Sequence, residues 1–127
     1  MKSILKNYVE EALEKRLEEK NFTDSKQLLG DCYYNTKCLS NVLTENDIEH
    51  SVFCGGLAGD YREDNIPENF QEARKIGLVH YWVESHGYIC EISGECSLGE
   101  PIVISNRPQD YIVFEDSKYD SLPNFNG

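Results

Sequence analysis

The chain lacks internal repeats, low-complexity stretches and linkers, and it is short of positive charge. Its 127 residues include 12 Lys and Arg against 23 Asp and Glu, a net charge of −11. Such a surface repels phosphate, so nucleic acid and anionic membranes are excluded as expected partners. A basic protein partner remains compatible with this charge. At 39% hydrophobic residues, the chain has enough apolar side chains to form one core, and we expect a single domain over residues 1–127.

No long apolar segment opens the chain, since the first twenty residues contain no apolar run longer than two. This pattern predicts neither a secretory signal nor a membrane span, so the cytoplasm is the expected compartment. In that reducing setting, five cysteines do not suggest a disulfide framework. Cys32 and Cys38, like Cys90 and Cys96, have five residues between them, more than the two to four typical of structural zinc sites. We therefore expect no metal.

Hydrophobic periodicity predicts helices in the first third of the chain and strands in the remainder. An amphipathic helix is expected over residues 4–18, within an N-terminal helical region 1–22, and a second over 32–44, where Gly30-Asp31 supplies an N-cap. The expected strands are 48–56, 77–84, 88–92, 101–104 and 111–114, with one helical turn at 67–74 and a tail at 115–127 that frays or packs loosely. Helices followed by an antiparallel sheet predict an α+β fold.

Three residues in this arrangement carry the elements of nucleophilic catalysis. Cys32 opens the second helix, His80 lies in a strand, and Glu91 lies in the next strand. A thiol becomes a strong nucleophile when a helix N-terminus and a neighbouring imidazolium favour its ionised form. A histidine also protonates the leaving group, and a carboxylate on its far nitrogen fixes the orientation of the ring.

The turn between the two strands decides whether His80 and Glu91 meet. If Ser85-His86 forms a two-residue turn, Glu91 lies directly opposite His80; if His86-Gly87 forms it, Glu91 is the diagonal neighbour on the same face. A three-residue loop would place Glu91 on the opposite face unless a bulge intervened.

Several other residues are candidates for supporting roles. The backbone N–H of Cys32 and the amide of Gln27 are the candidate oxyanion donors. Trp82 shares a face with His80, where it would either wall the cleft or fill the core. The remaining cysteines near the sheet are expected to pack inside, with Cys90 facing away from the candidate site: Cys54, Cys90 and Cys96.

These motifs resemble the transglutaminase-like branch of the papain-like cysteine enzymes. The resemblance covers residues 28–93, from Gly30-Asp31-Cys32-Tyr33-Tyr34 at a helix start to His80-Tyr81-Trp82-Val83-Glu84 in a strand and an acid eleven positions after the histidine, Glu91. It implies a papain-like fold with a catalytic core at 28–93 and the catalytic order Cys, His, acid. Two residues depart from the pattern, because the acid is usually Asp and the residue after the histidine is usually Ala.

The resemblance and the residues together predict a cysteine-dependent hydrolase that cleaves an amide through a thioester intermediate. The expected substrate is a peptide or protein, and no metal or organic cofactor is implied. Water or an amine could resolve the thioester, so hydrolysis and acyl transfer both remain open. The alternative is a non-catalytic acidic interaction protein, of inhibitor or immunity type, that binds a basic partner through charge complementarity.

Overall fold

The structure, a computed structural model, describes residues 1–119 and the side chains of residues 1–117. It confirms an α+β fold with three α-helices and an antiparallel sheet. The helices are α1 (Lys2–Lys20), α2 (Cys32–Glu45) and α3 (Phe70–Ile76). The strands are β1 (Ser51–Leu57), β2 (His80–Ser85), β3 (Tyr88–Glu91), β4 (Ile102–Ile104), β5 (Tyr111–Ile112) and β6 (Lys118–Tyr119). Short 3-10 turns lie at Ser25–Leu28, Ala58–Asp60 and Glu95–Ser97.

The sheet has the order β4-β3-β2-β1, and both β5 and β6 pair with the outer edge of β1. β6 pairs with the first half of β1, at Val52 and Phe53, and β5 pairs with the last two residues, Gly56 and Leu57. Every pairing is antiparallel. β1 therefore joins the strand that carries His80 to the short strand β5.

The two faces of the sheet build two apolar clusters. One face packs against α1 and α2, and its members include Val83 and Cys90 on the sheet and Leu39 and Leu43 on α2. The other face carries the second cluster: Leu57, Trp82, Ile89, Ile102 and Tyr111. His80 and Trp82 share this second face because alternate residues of a strand point the same way.

Among the helices of residues 1–119, none has the length and apolar composition that crossing a membrane requires.

The hairpin between β2 and β3 adopts the second of the two predicted registers. Val83 pairs with Cys90 and Ser85 with Tyr88, so His86 and Gly87 form the two-residue turn. Both turn residues have positive φ, 50° and 82°, which is the requirement of a type I′ hairpin turn. Glu91 is consequently the diagonal neighbour of His80.

The end of β1 needs glycine because its neighbours come too close for a side chain. Gly55 pairs with His80. A Cβ at Gly55 would lie 2.9 Å from the ring of Trp82 and would clash with the carbonyl oxygen of Ile112. Gly56 is similarly covered by the ring of Tyr61. The sequence predicted a strand that ends at these two glycines, whereas the structure continues it through Leu57 because β5 pairs there.

Three sequence expectations are corrected by the structure. The strand predicted from Gly77 begins at His80, because Gly77 ends α3 in a left-handed conformation with φ 75°. α3 itself lies at 70–76, not 67–74, and it starts at the buried Phe70. The tail is not loosely packed throughout: Ser117 is fully buried, and its carbonyl accepts a 2.7 Å hydrogen bond from the backbone N–H of Cys54. The rest of the predicted tail, 120–127, lies outside the described residues.

Substituting Gly55 by Ala tests the close approach at the end of β1. We expect Gly55→Ala to lower the free energy of unfolding by about 1–3 kcal/mol, because a backbone carbonyl must move to admit the methyl group. Gly59→Ala is the control, since a Cβ there would meet only Asp110, at 3.9 Å. Urea denaturation of both variants measures the difference. Equal stability of the two variants would contradict the packing described for Gly55.

Candidate active site

Cys32 is the first residue of α2, and its side chain is partly exposed. Asp31 occupies the N-cap position, as the sequence predicted, but its carboxylate makes no capping hydrogen bond. It instead forms an ion pair with the guanidinium of Arg16 on α1. The first N–H groups of α2 therefore have no side-chain cap from Asp31, and the negative charge beside Cys32 is balanced.

Arg16 is a residue whose role sequence reasoning missed. Its side chain is buried, and its Nε donates a 3.0 Å hydrogen bond to Oδ1 of Asn35, while Nη1 lies 2.6 Å from a carboxylate oxygen of Glu19. Asn35 in turn donates to the carbonyl of Leu28 at 3.0 Å. The network joins α1 to the first turns of α2 and so fixes where Cys32 lies. Its one sequence signal is that Arg16 continues the apolar stripe of α1 four residues after Ala12.

His80 opens β2 and is only 1% exposed. Its Nε2 lies 2.8 Å from Oε1 of Glu91, although the oxygen is poorly aligned with the ring N–H, so the contact is an ion pair more than a regular hydrogen bond. The thiol of Cys32 lies within hydrogen-bonding distance of the same imidazole. The three residues nominated from the sequence thus lie together, with His80 in the middle.

The surroundings of His80 favour the imidazolium form. Burial by itself lowers the pKa of His80, because a charged ring loses its hydration. The interactions of the ring with Cys32 and with the Glu91 carboxylate outweigh burial and raise the pKa of His80 to about 10. The ring is therefore a proton donor at neutral pH as long as both partners are present.

Glu91 is buried and has a partner on each oxygen. Oε1 faces His80, and Oε2 accepts a hydrogen bond from the hydroxyl of Tyr111 on β5. The ring of Tyr111 also lies edge-on to the imidazole, with 5.1 Å between the ring centroids. Sequence reasoning missed Tyr111, because it placed residues 111–114 in a strand but did not predict which strand they would pair with.

Neither Trp82 nor Gln27 has the position expected of it at a substrate cleft. Trp82 is fully buried, stacks on His80 with 5.7 Å between ring centroids, and donates a 2.8 Å hydrogen bond to Glu84. Of the two roles open to it, the structure gives it the core role. The amide oxygen of Gln27 accepts hydrogen bonds from the backbone N–H groups of Thr23 and Asp24, which closes a capping box on the turn before α2. A small crevice is lined by Cys32 and Glu91, and Gln27 is not among its lining residues.

The remaining cysteines differ from Cys32 in their surroundings. Cys54 and Cys90 are buried, and burial raises the pKa of both thiols, that of Cys90 to about 12. Cys90 belongs to the helix-facing cluster, which confirms that it faces away from the candidate site. Cys96 is exposed, so the expectation that it packs inside is wrong; it follows Glu95 in a surface turn.

Among residues 1–119, no group of three or more His, Cys, Asp or Glu side chains is arranged to hold a metal ion.

The pKa of His80 gives a direct test of these contacts. In an NMR titration we expect the imidazole of His80 to stay protonated well above 6.5 and to lose its proton at about pH 10. Because the raised pKa belongs to the folded state, it contributes stability that is present below the unfolded pKa of about 6.5 and is lost as the pH rises through the folded pKa. Cys32→Ala and Glu91→Gln should each lower the midpoint. A wild-type midpoint near 6.5 would contradict the geometry.

No protein-family model, no curated protein and no solved structure matches this chain. Its candidate site consists of a partly exposed thiol at a helix start, a buried imidazole beside it, and a carboxylate held between the imidazole and Tyr111.

Proposed function

We propose that this protein is a cysteine-dependent hydrolase of amide bonds, with a papain-like core of transglutaminase-like form. The observation that carries the proposal is the position of the His80 imidazole, which has both the Cys32 thiol and the Glu91 carboxylate as partners. The order Cys, His, acid along the chain agrees with the resemblance drawn from the sequence motifs. The substrate we infer is a peptide or a protein.

In the first half of the reaction, the thiolate of Cys32 attacks the carbonyl carbon of the amide. A C–S bond forms, the electron pair of the C=O bond moves to oxygen, and the backbone N–H groups at the start of α2 stabilise that oxyanion. His80 then gives its proton to the amide nitrogen as the C–N bond breaks. The electron pair on the oxyanion re-forms the C=O bond, the amine leaves, and Cys32 holds the acyl group as a thioester.

In the second half, His80 is neutral and acts as the base. It takes a proton from water, whose oxygen attacks the thioester carbon, and the C–S bond breaks to release the carboxylic acid. The thiolate and the imidazolium are restored. An amine in place of water would give a new amide by the same steps, so acyl transfer uses the same residues. Glu91 holds the ring in the orientation and tautomer that both halves need.

The charge of the molecule favours a second candidate function, binding to a basic protein without catalysis. With a net charge of −11, the chain is acidic overall. On α1, five exposed glutamates outnumber the four exposed lysines: Glu10, Glu11, Glu14, Glu18 and Glu19 against Lys2, Lys6, Lys15 and Lys20. An excess of one charge accelerates association with a partner of the opposite charge. Under this alternative the Cys32 thiol has no special reactivity.

Alkylation of Cys32 by iodoacetamide separates the two candidates. At about pH 6 an ordinary thiol is under 1% ionised, so a Cys32 thiolate should react about tenfold faster than the exposed Cys96. We expect the rate of Cys32 to fall to that of Cys96 in His80→Asn, and to be reduced in Glu91→Gln. Peptide mass spectrometry of the alkylated protein gives the rate of each thiol. Equal rates for Cys32 and Cys96, unchanged in His80→Asn, would favour the non-catalytic alternative.

A peptide library with mass detection tests the reaction itself. We expect cleavage by the wild type and a covalent adduct on Cys32 whose mass equals the acyl half of the cleaved peptide. Hydroxylamine should remove this adduct, because it attacks thioesters. Cys32→Ala should lose both cleavage and adduct, while Cys96→Ser, which removes the exposed thiol of the surface turn Glu95–Ser97, should retain them. Cleavage that persists in Cys32→Ala would contradict the proposed mechanism.

A further inference from the structure

Tyr111 approaches the candidate site from a strand that the catalytic sequence motifs do not include. β1 pairs on one side with β2, where Gly55 faces His80, and on the other with β5, where Leu57 faces Tyr111. The two-residue strand β5 thus reaches the stretch of β1 that carries the His80 pairing. Tyr111 is 5% exposed, and its ring contacts both His80 and Trp82, with centroid distances of 5.1 and 5.0 Å.

The hydroxyl of Tyr111 occupies the one carboxylate oxygen of Glu91 that His80 does not face. Oε2 accepts from the hydroxyl, and Oε1 lies 2.8 Å from Nε2 of His80. A glutamate has one more rotatable bond than the aspartate usual in the resembled enzymes, so its carboxylate needs an additional restraint to stay in one orientation. Burial, and then the charge of Glu91, raise the pKa of Tyr111, which keeps its hydroxyl protonated and able to donate.

We propose that Tyr111 is a positioning residue that holds the Glu91 carboxylate turned toward His80. This inference rests on the proposed function, because it assigns Tyr111 a part in maintaining the reactive Cys32–His80 pair. Without the donor, a buried carboxylate is less stable as an anion and is free to rotate. A protonated or rotated Glu91 no longer supports the imidazolium of His80, and the thiolate of Cys32 loses its partner in turn.

The matched variants are Tyr111→Phe and Tyr61→Phe. Each substitution removes one hydroxyl that donates a hydrogen bond to another group of the same chain. The hydroxyl of Tyr61 donates to the backbone carbonyl of Leu78 and not to Glu91. Both variants carry Cys96→Ser, because Sγ of Cys96 lies 3.9 Å from the hydroxyl of Tyr111 and would respond to its loss directly. The reference protein carries Cys96→Ser alone. Circular dichroism and urea denaturation establish that each variant is folded.

Two readouts follow, the alkylation rate of Cys32 against pH and the NMR titration midpoint of His80. We expect Tyr111→Phe to slow alkylation about fivefold at about pH 6, less than His80→Asn does, and to lower the His80 midpoint, since a hydrogen bond to a charged group is being lost. Tyr61→Phe should change the free energy of unfolding and leave both readouts unchanged. A purely structural Tyr111 would lower the stability and leave the pH profile and the midpoint unchanged, and that result overturns the inference.

A double-mutant cycle with Glu91→Gln shows whether Tyr111 acts through Glu91. If it does, adding Tyr111→Phe to Glu91→Gln slows Cys32 alkylation by less than twofold more. If Tyr111→Phe slows Cys32 alkylation by the same factor with and without Glu91→Gln, the inference is overturned, even though the single Tyr111→Phe variant reacts slowly. Failure of the proposed function gives a different pattern, because Cys32 in the reference protein would then react slowly and without dependence on His80.

Discussion

The buried pair of His80 and Glu91 is the interaction on which the rest of the structure depends. Burying two charged groups is costly unless their polar atoms have partners, and each of these groups has a partner besides the other. Cys32 is the further partner of the imidazole, and Tyr111 donates to the carboxylate oxygen that does not face His80. The positions of α2 and β5 are thereby linked to the same pair, although they are almost eighty residues apart in the sequence.

Local sequence rules were sufficient to predict the central part of this arrangement. The two strands around His86-Gly87 follow from β-branched and aromatic residues, but the sequence left the register open. The structure selects the register in which His86 and Gly87, both with positive φ, form the two-residue turn. Once the register is known, Glu91 has to share a face with His80. Cys32 was likewise predictable at the start of a helix, since Gly30 precedes a stretch with helical spacing. The hairpin and the helix start each depend on residues near one another in the sequence.

The contacts that were not predicted join distant segments. Tyr111 reaches Glu91 only because β5 pairs with the outer edge of β1, a pairing that a two-residue strand does not reveal. The sequence analysis gave Arg16 no role, and in the structure its buried guanidinium pairs with Asp31 across the helix interface. That pairing takes Asp31 away from its predicted capping role. Long-range partners of single side chains depend on the packing of whole elements, and the pattern of one chain contains little information about them.

The ultraviolet absorbance of the Cys32 thiolate, followed against pH, tests the central claim most directly, because it needs neither a substrate nor a reagent. The account predicts that the wild type shows thiolate absorbance already at about pH 6, where ordinary thiols are protonated. This signal should be missing in Cys32→Ser and should move to higher pH in His80→Asn. If wild type and Cys32→Ser instead have the same absorbance at that pH, the thiolate–imidazolium pair is not formed and the account is contradicted.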